Sequence, residues 1–194
     1  FWLGKPRRWL AAASLGAAIL AKVIPIICVA AFWRHWWGQG RFRWVDPKTQ
    51  LPLTATAVVV IAGYLSFLAD GTDIFAGLQT YALKWRFNDG PFSIVYEVLR
   101  DPSLEWDDAA LLAARKICVA LWLVLMIGIL RWRDPLRVSF GLLSAYVALS
   151  PTVHPWYLLW ILPFLPLFPR IAWLAFSGLI LLSYEVLAGY RENG

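Results

Sequence analysis

Charge is scarce in this sequence, and so are the residues that hold metals or form disulfides. Of 194 residues only 15% are charged while 60% are apolar. A water-soluble chain is nearer a quarter charged and half apolar. The two cysteines, Cys28 and Cys118, fall inside apolar runs, which supports neither a disulfide framework nor a thiolate metal site. With two histidines in all, no His/Cys/carboxylate spacing suits a catalytic metal. The sequence also lacks a glycine-rich phosphate loop, a glycosylation sequon, internal repeats and low-complexity linkers. No signal peptide opens it: the basic segment around Lys5, Arg7 and Arg8 is not followed by a short apolar run and a small-residue cleavage site. A chain that starts at Phe1 in this way reads as the C-terminal portion of a longer one.

What is present is a series of apolar blocks: Leu10–Trp33, Leu53–Ala69, Ala109–Leu130, Val138–Leu149, Trp156–Phe168 and Ile171–Ala188. A membrane-crossing helix needs about 20 apolar residues, fewer when short or packed among others. The blocks therefore predict an all-α, polytopic integral membrane bundle of about 6–7 transmembrane helices, a single domain over residues 1–194. Thirteen tryptophans are present. Many stand where an apolar block meets charge (Trp9, Trp33, Trp36, Trp37, Trp106, Trp132), as in the aromatic belts of membrane proteins.

The charges between blocks give a direction. Asp70–Asp108 holds eight carboxylates against Lys84, Arg86 and Arg100, a net −5, whereas Arg34–Pro52 and Arg131–Arg137 are both basic. Basic loops stay cytoplasmic, so the acidic stretch 70–108 is expected on the outer face, with the turn Ser150–Pro155. The net charge of +6 then reflects topology and not nucleic-acid binding. The first block has basic residues at both ends and Pro25 in its middle. It is either a hairpin of two short helices turning near Lys22–Pro25 or one span kinked by the proline.

Few residues are placed to do chemistry. A lysine at the centre of a span costs about 3 kcal/mol. Lys22 therefore either pairs with an anion such as a phosphate or snorkels to an interface. The run Ser150-Pro-Thr-Val-His154-Pro-Trp156-Tyr157 presents an imidazole, an indole and a phenol from a proline-fixed turn. His154 there is either an interfacial anchor or a hydrogen-bonding group that titrates near neutrality. The stretch Gly77–Phe92 is too polar to span. It predicts an amphipathic helix on the membrane, ending at Asn88-Asp-Gly-Pro91, whose Trp85 and Asn88 suit either lipid anchoring or a sugar. Arg115 and Lys116, near the outer start of the next helix, are headgroup anchors or further phosphate contacts. Asp70 and Asp73 read as solvated carboxylates.

The run Gly16–Pro25 containing Lys22 and followed by a basic loop, the run Gly77…Tyr81…Trp85-Arg-Phe-Asn88-Asp-Gly-Pro-Phe92, and Leu149-Ser-Pro-Thr-Val-His154-Pro-Trp156-Tyr157 ahead of an apolar proline-rich helix resemble bacterial membrane glycosyltransferases. The resemblance is to the glycosyltransferase C superfamily, in the branch of polyprenol-phosphate-mannose-dependent mannosyltransferases and their relatives. The order and spacing of these runs cover nearly the whole chain. The resemblance implies an enzyme of the bacterial cytoplasmic membrane, with its active face outward. It would move a hexose, mannose in this branch, from a polyprenyl-phosphate donor to a glycan, lipid or protein acceptor. The family's general base is a carboxylate of its first outer loop, which this sequence does not contain, and neither Asp70 nor Asp73 is matched to it. Lys22, Arg115 and Lys116 would face the carrier phosphate, and His154, Trp156, Tyr157, Trp85 and Asn88 the sugar. A transporter or flippase subunit is the competing class, and a non-catalytic membrane scaffold a third. A transporter needs polar groups along several spans, whereas here they gather at the ends.

Overall fold

The computed structural model describes residues 8–37, 47–65 and 76–184. Among these it is all-helical, with one isolated bridge, Phe87 to Thr152, and no strand. The eight α-helices are α1 (Arg8–Ala21), α2 (Val29–Trp37), α3 (Pro47–Leu65), α4 (Ala76–Lys84), α5 (Gly90–Leu99), α6 (Asp108–Ile129), α7 (Pro135–Leu149) and α8 (Ile171–Leu179). The chain divides into two compact units, one of residues 1–79 and 129–139, the other of residues 80–128 and 140–194.

In the first unit the apolar block 10–33 breaks where expected. Helix α1 ends at Ala21, Lys22 and Val23 leave the helical path, and a 3-10 turn, Ile24–Cys28, begins with Pro25 in its first turn. Helices α1 and α3 pack closely. Thr56 donates its hydroxyl to the carbonyl of Ala12 at 3.0 Å, and Gly16 lies against Val59 and Gly63 against Leu20. Residue numbers climb together along both helices, so the pair is parallel. The chain must therefore reverse between Ala21 and Pro47, and α2 lies on that return, as a hairpin requires and a single kinked span does not. At its last turn the Arg34 Nε donates to the Leu130 carbonyl at 3.3 Å, which ties the end of α2 to the residue just after α6.

Gly16 makes the α1–α3 approach possible. A Cβ there would stand 2.9 Å from the Val59 Cβ and 3.1 Å from the Thr56 carbonyl oxygen, and neither neighbour is a flexible side-chain tip. Gly16→Leu is expected to lower stability by about 1–3 kcal/mol through overpacking. Thermal unfolding in detergent measures this. Gly128→Leu is the control, since a Cβ at that position meets nothing within 4 Å. Equal midpoints for the two variants would contradict the close parallel pair.

In the second unit Phe92 and Tyr96 of α5 pack on Ala110, Leu111, Ala114 and Cys118 of α6. Asp107 closes the first turn of α6 by accepting the Ala110 N–H at 2.9 Å, and Tyr96 Oη accepts the Asp107 N–H at 3.1 Å. The Trp122 indole donates to the Leu142 carbonyl at 3.2 Å, joining α6 to α7. Helix α6 is the one described helix both long and apolar enough to cross a membrane. At 1.5 Å per residue its 22 residues reach about 33 Å, against a bilayer core of about 30 Å. Only 22% of its apolar window is buried, unlike the core helix of a water-soluble protein. A helix apolar all round and largely exposed needs lipid or a partner about it.

The other apolar helical stretches among the described residues, such as Arg8–Ala21, Gln50–Leu65, Pro135–Leu149 and Ile171–Leu182, run to 10–17 residues, so length and composition show one candidate span and not a bundle of 6–7. Two expectations are corrected. The block Trp156–Phe168 is not an α-helix: it folds as 3-10 turns over Pro155–Trp160 and Leu162–Phe164. Pro163 and Pro166 each remove an N–H and crowd the preceding turn, which the interior of an α-helix does not tolerate. A 3-10 path rises about 2 Å per residue, so ten such residues still cover about 20 Å. Finally, the helix expected to end at Asn88-Asp-Gly-Pro91 ends earlier. Helix α4 stops at Lys84 and α5 starts at Gly90, because the residues between them are bonded elsewhere. Asp70, Asp73, most of the basic loop after Trp37, and the end of the last block lie outside the described residues.

Candidate functional site

The segment between α4 and α5 is laced to the turn after α7. The Phe87 N–H donates to the Pro151 carbonyl at 3.0 Å, and its own carbonyl accepts the Val153 N–H at 2.7 Å. The Asn88 amide donates to the Val153 carbonyl at 3.2 Å. Asn88 holds a φ of 52°, the left-handed region that asparagine tolerates better than most residues. The Trp85 carbonyl accepts from both the Thr152 hydroxyl and the Arg115 Nη2, each at 2.9 Å. Thr152 is buried, and its carbonyl takes the Ser150 hydroxyl at 2.8 Å, so the turn is braced from both sides.

This lacing gathers an aromatic cluster around His154. The imidazole is stacked between the Trp156 ring at 4.3 Å and the Phe87 ring at 5.1 Å. Trp85 and Tyr157 meet it edge-on at 6.3 and 5.6 Å. Below, Tyr157 stacks on Trp160 at 4.3 Å and its hydroxyl meets that of Tyr81, which in turn contacts Trp85. Burial of the imidazole lowers its pKa from the ordinary 6.5, so His154 is neutral at pH 7 and carries one donor and one acceptor. Trp85 and Trp156 remain 51% and 43% exposed, which leaves indole surface open beside a hydrogen-bonding imidazole.

Five residues singled out in the sequence thus come together: Trp85, Asn88, His154, Trp156 and Tyr157. Arg115 joins them through the Trp85 carbonyl. Lys116 is exposed on α6, and Lys22 is exposed at the break after α1, in the first compact unit. Phe87, Thr152 and Arg86 were not among the site residues singled out from the sequence. Phe87 and Thr152 act through backbone pairing across 65 positions, which no local pattern records. Arg86 was visible only as one more charge beside Trp85.

The chain matches no protein-family model, no curated protein and no solved structure.

Proposed function

We propose that the chain is part of a membrane glycosyltransferase that moves a hexose, mannose by resemblance, from a polyprenyl-phosphate carrier to an extracytoplasmic acceptor. The observation that supports this best is the lacing of Trp85–Asn88 to Pro151–Val153. It assembles two exposed indoles and a neutral imidazole into a platform suited to a pyranose ring. Indole faces suit the apolar C–H face of a sugar, and the imidazole, able to donate and accept, suits its hydroxyls. In this reading α6 and the shorter apolar helices form a bundle of about 6–7 spans in the bacterial cytoplasmic membrane, with the platform on the outer side. The shorter helices cross with help from their neighbours, and the 3-10 stretch 155–164 crosses by its greater rise. By the resemblance, Lys22 is a carrier-phosphate contact.

The reading is tested by donor binding to the chain in neutral-lipid nanodiscs, comparing polyprenyl-phosphate mannose with polyprenyl phosphate. The mannosyl donor is expected to bind more tightly. His154→Phe keeps the stack but removes the hydrogen bonds, so the preference should fall roughly two- to tenfold, the worth of a neutral hydrogen bond. Because the imidazole must be neutral to accept, the preference should hold from pH 8 to pH 6.5. It should decline only below that, as the lowered pKa is crossed. Equal binding of the two lipids, or a preference untouched by both His154→Phe and Trp85→Ala, would remove the basis for a sugar site.

A further inference from the structure

We propose that the turn just past the C-terminal end of α6, together with the last turn of α2, forms a binding surface for anionic phospholipid headgroups. Two contacts gather it. The Arg34 Nε donates to the Leu130 carbonyl at 3.3 Å, and the Arg137 guanidinium carbon lies 5.1 Å from the centroid of the Trp132 ring. Leu130 and Trp132 flank Arg131, and Arg133 follows at once, with successive Cα atoms about 3.8 Å apart. Arg34 and Arg137 are thus drawn onto the short stretch that carries Arg131 and Arg133. All these residues belong to the first compact unit. Arg131, Arg133 and Arg137 are exposed, so a headgroup can reach them. Among the described residues none of the four arginines is paired with a carboxylate. The turn's one carboxylate, Asp134, accepts the Leu136 N–H at 3.0 Å and so caps the start of α7.

Four arginines against Asp134 leave a net charge of +3 on this surface. That excess stands where headgroups do. Helix α6 runs apolar from Ile117 to Ile129, and Arg131 is the first charge after it. Trp132 and Leu136, 39% and 47% exposed, set apolar groups among the arginines, which suits the boundary between headgroups and acyl chains. A guanidinium fork meets two oxygens of a phosphodiester at once. Phosphatidylcholine offers the same phosphodiester but brings a cation of its own, which the surplus positive charge repels. Phosphatidylglycerol brings none, so the surface selects headgroups of net negative charge. One arginine near an anionic lipid surface strengthens the attraction about fivefold. None of this depends on a sugar or a polyprenyl carrier, so the surface stands whether or not the chain transfers a hexose.

The test uses the full chain in a neutral detergent, titrated with phosphatidylglycerol or with phosphatidylcholine, the lipid adducts being counted by native mass spectrometry. In detergent the result does not depend on which way a variant inserts. The wild-type chain is expected to bind phosphatidylglycerol about tenfold more tightly than phosphatidylcholine, or better. Arg131→Gln and Arg133→Gln should each weaken phosphatidylglycerol binding about fivefold, and together by more than about tenfold, with phosphatidylcholine binding little changed. Lys84→Gln combined with Arg100→Gln removes the same charge from the second compact unit and should change the binding by less than about twofold. Thermal midpoints in the same detergent check the fold. Should the paired Arg131 and Arg133 variant unfold, Arg137→Gln, also at an exposed position, carries the test with a loss of about fivefold. Equal binding of the two lipids by the wild-type chain overturns the proposal. So does wild-type binding by the folded arginine variants, or an equal loss in the Lys84 and Arg100 pair.

Discussion

Phe92→Ala is expected to cost about 3–5 kcal/mol, the range for truncating a fully buried phenylalanine. Phe92 is 0% exposed and is enclosed by Ala110, Leu111, Ala114 and Cys118 of α6 and by Tyr96 one turn along its own helix. An aromatic side chain hides 150–250 Å², and at about 25 cal/mol per Å² transfer alone approaches the expected figure. The cavity left behind adds to it, since the neighbours are anchored: Ala110 is bonded to Asp107, and Tyr96 accepts the Asp107 N–H. The ring also lies 5.8 Å from the guanidinium carbons of Arg86 and Arg115, so its loss removes a contact from each. Ile94→Ala removes a similar apolar group from the same helix, but Ile94 is 67% exposed and its loss should change stability by under about 0.5 kcal/mol. Unfolding of both variants in mixed micelles decides the matter. A Phe92→Ala variant no less stable than Ile94→Ala would mean that α5 is not held to α6 by this core.

The same contrast explains what the sequence could and could not reveal. Apolar blocks are a property of composition over about 20 residues, so Ala109–Leu130 was legible and coincides closely with α6. The break at Lys22–Pro25 was legible as well, because proline acts on its own turn. The parallel pairing of α1 and α3 was not, since it rests on which small residues meet: Gly16 with Val59 and Gly63 with Leu20. The helix in 77–92 read as running to Asn88 because apolar residues recur there at helical spacing. That periodicity cannot register Phe87 giving both its backbone groups to Pro151 and Val153. The 3-10 path after Pro155 was missed for a related reason, as each proline alone allows a kinked helix while several in succession exclude one.

For the site, residue type was informative and partnership was not. Trp85, Asn88, His154, Trp156 and Tyr157 stood out because aromatic and amide groups next to prolines and glycines are unusual at block ends. That Trp85 and His154 share a cluster depends on hydrogen bonds between segments 65 or more residues apart. Arg86 and Arg115 are separated by a turn, a helix and an acidic loop, and only the Phe92 ring relates them.

Single cysteines introduced as Glu105→Cys and Arg133→Cys should report opposite sides of a membrane. The background has Cys28 and Cys118 replaced by alanine. Glu105 and Arg133 are both exposed, so a difference in labelling reports the barrier and not burial. Between them α6 is long enough to cross, at about 33 Å for its 22 residues. The flanking charge orients it: the acidic stretch 70–108 is net −5, whereas Arg131, Arg133 and Arg137 face one carboxylate, Asp134. Basic segments resist translocation while carboxylates contribute little, so the C-terminal end of α6 should remain inside. The substitution at 133 leaves two arginines there, which keeps the bias. An impermeant maleimide added to intact cells should therefore label Glu105→Cys, and should reach Arg133→Cys only after the cells are opened. Gly90 is a poorer reporter, because its φ of +25° would strain any side chain placed there. Equal labelling from outside would mean that α6 does not cross. Its exposed apolar surface, from Val119 to Ile127, would then have to be covered by protein instead of lipid.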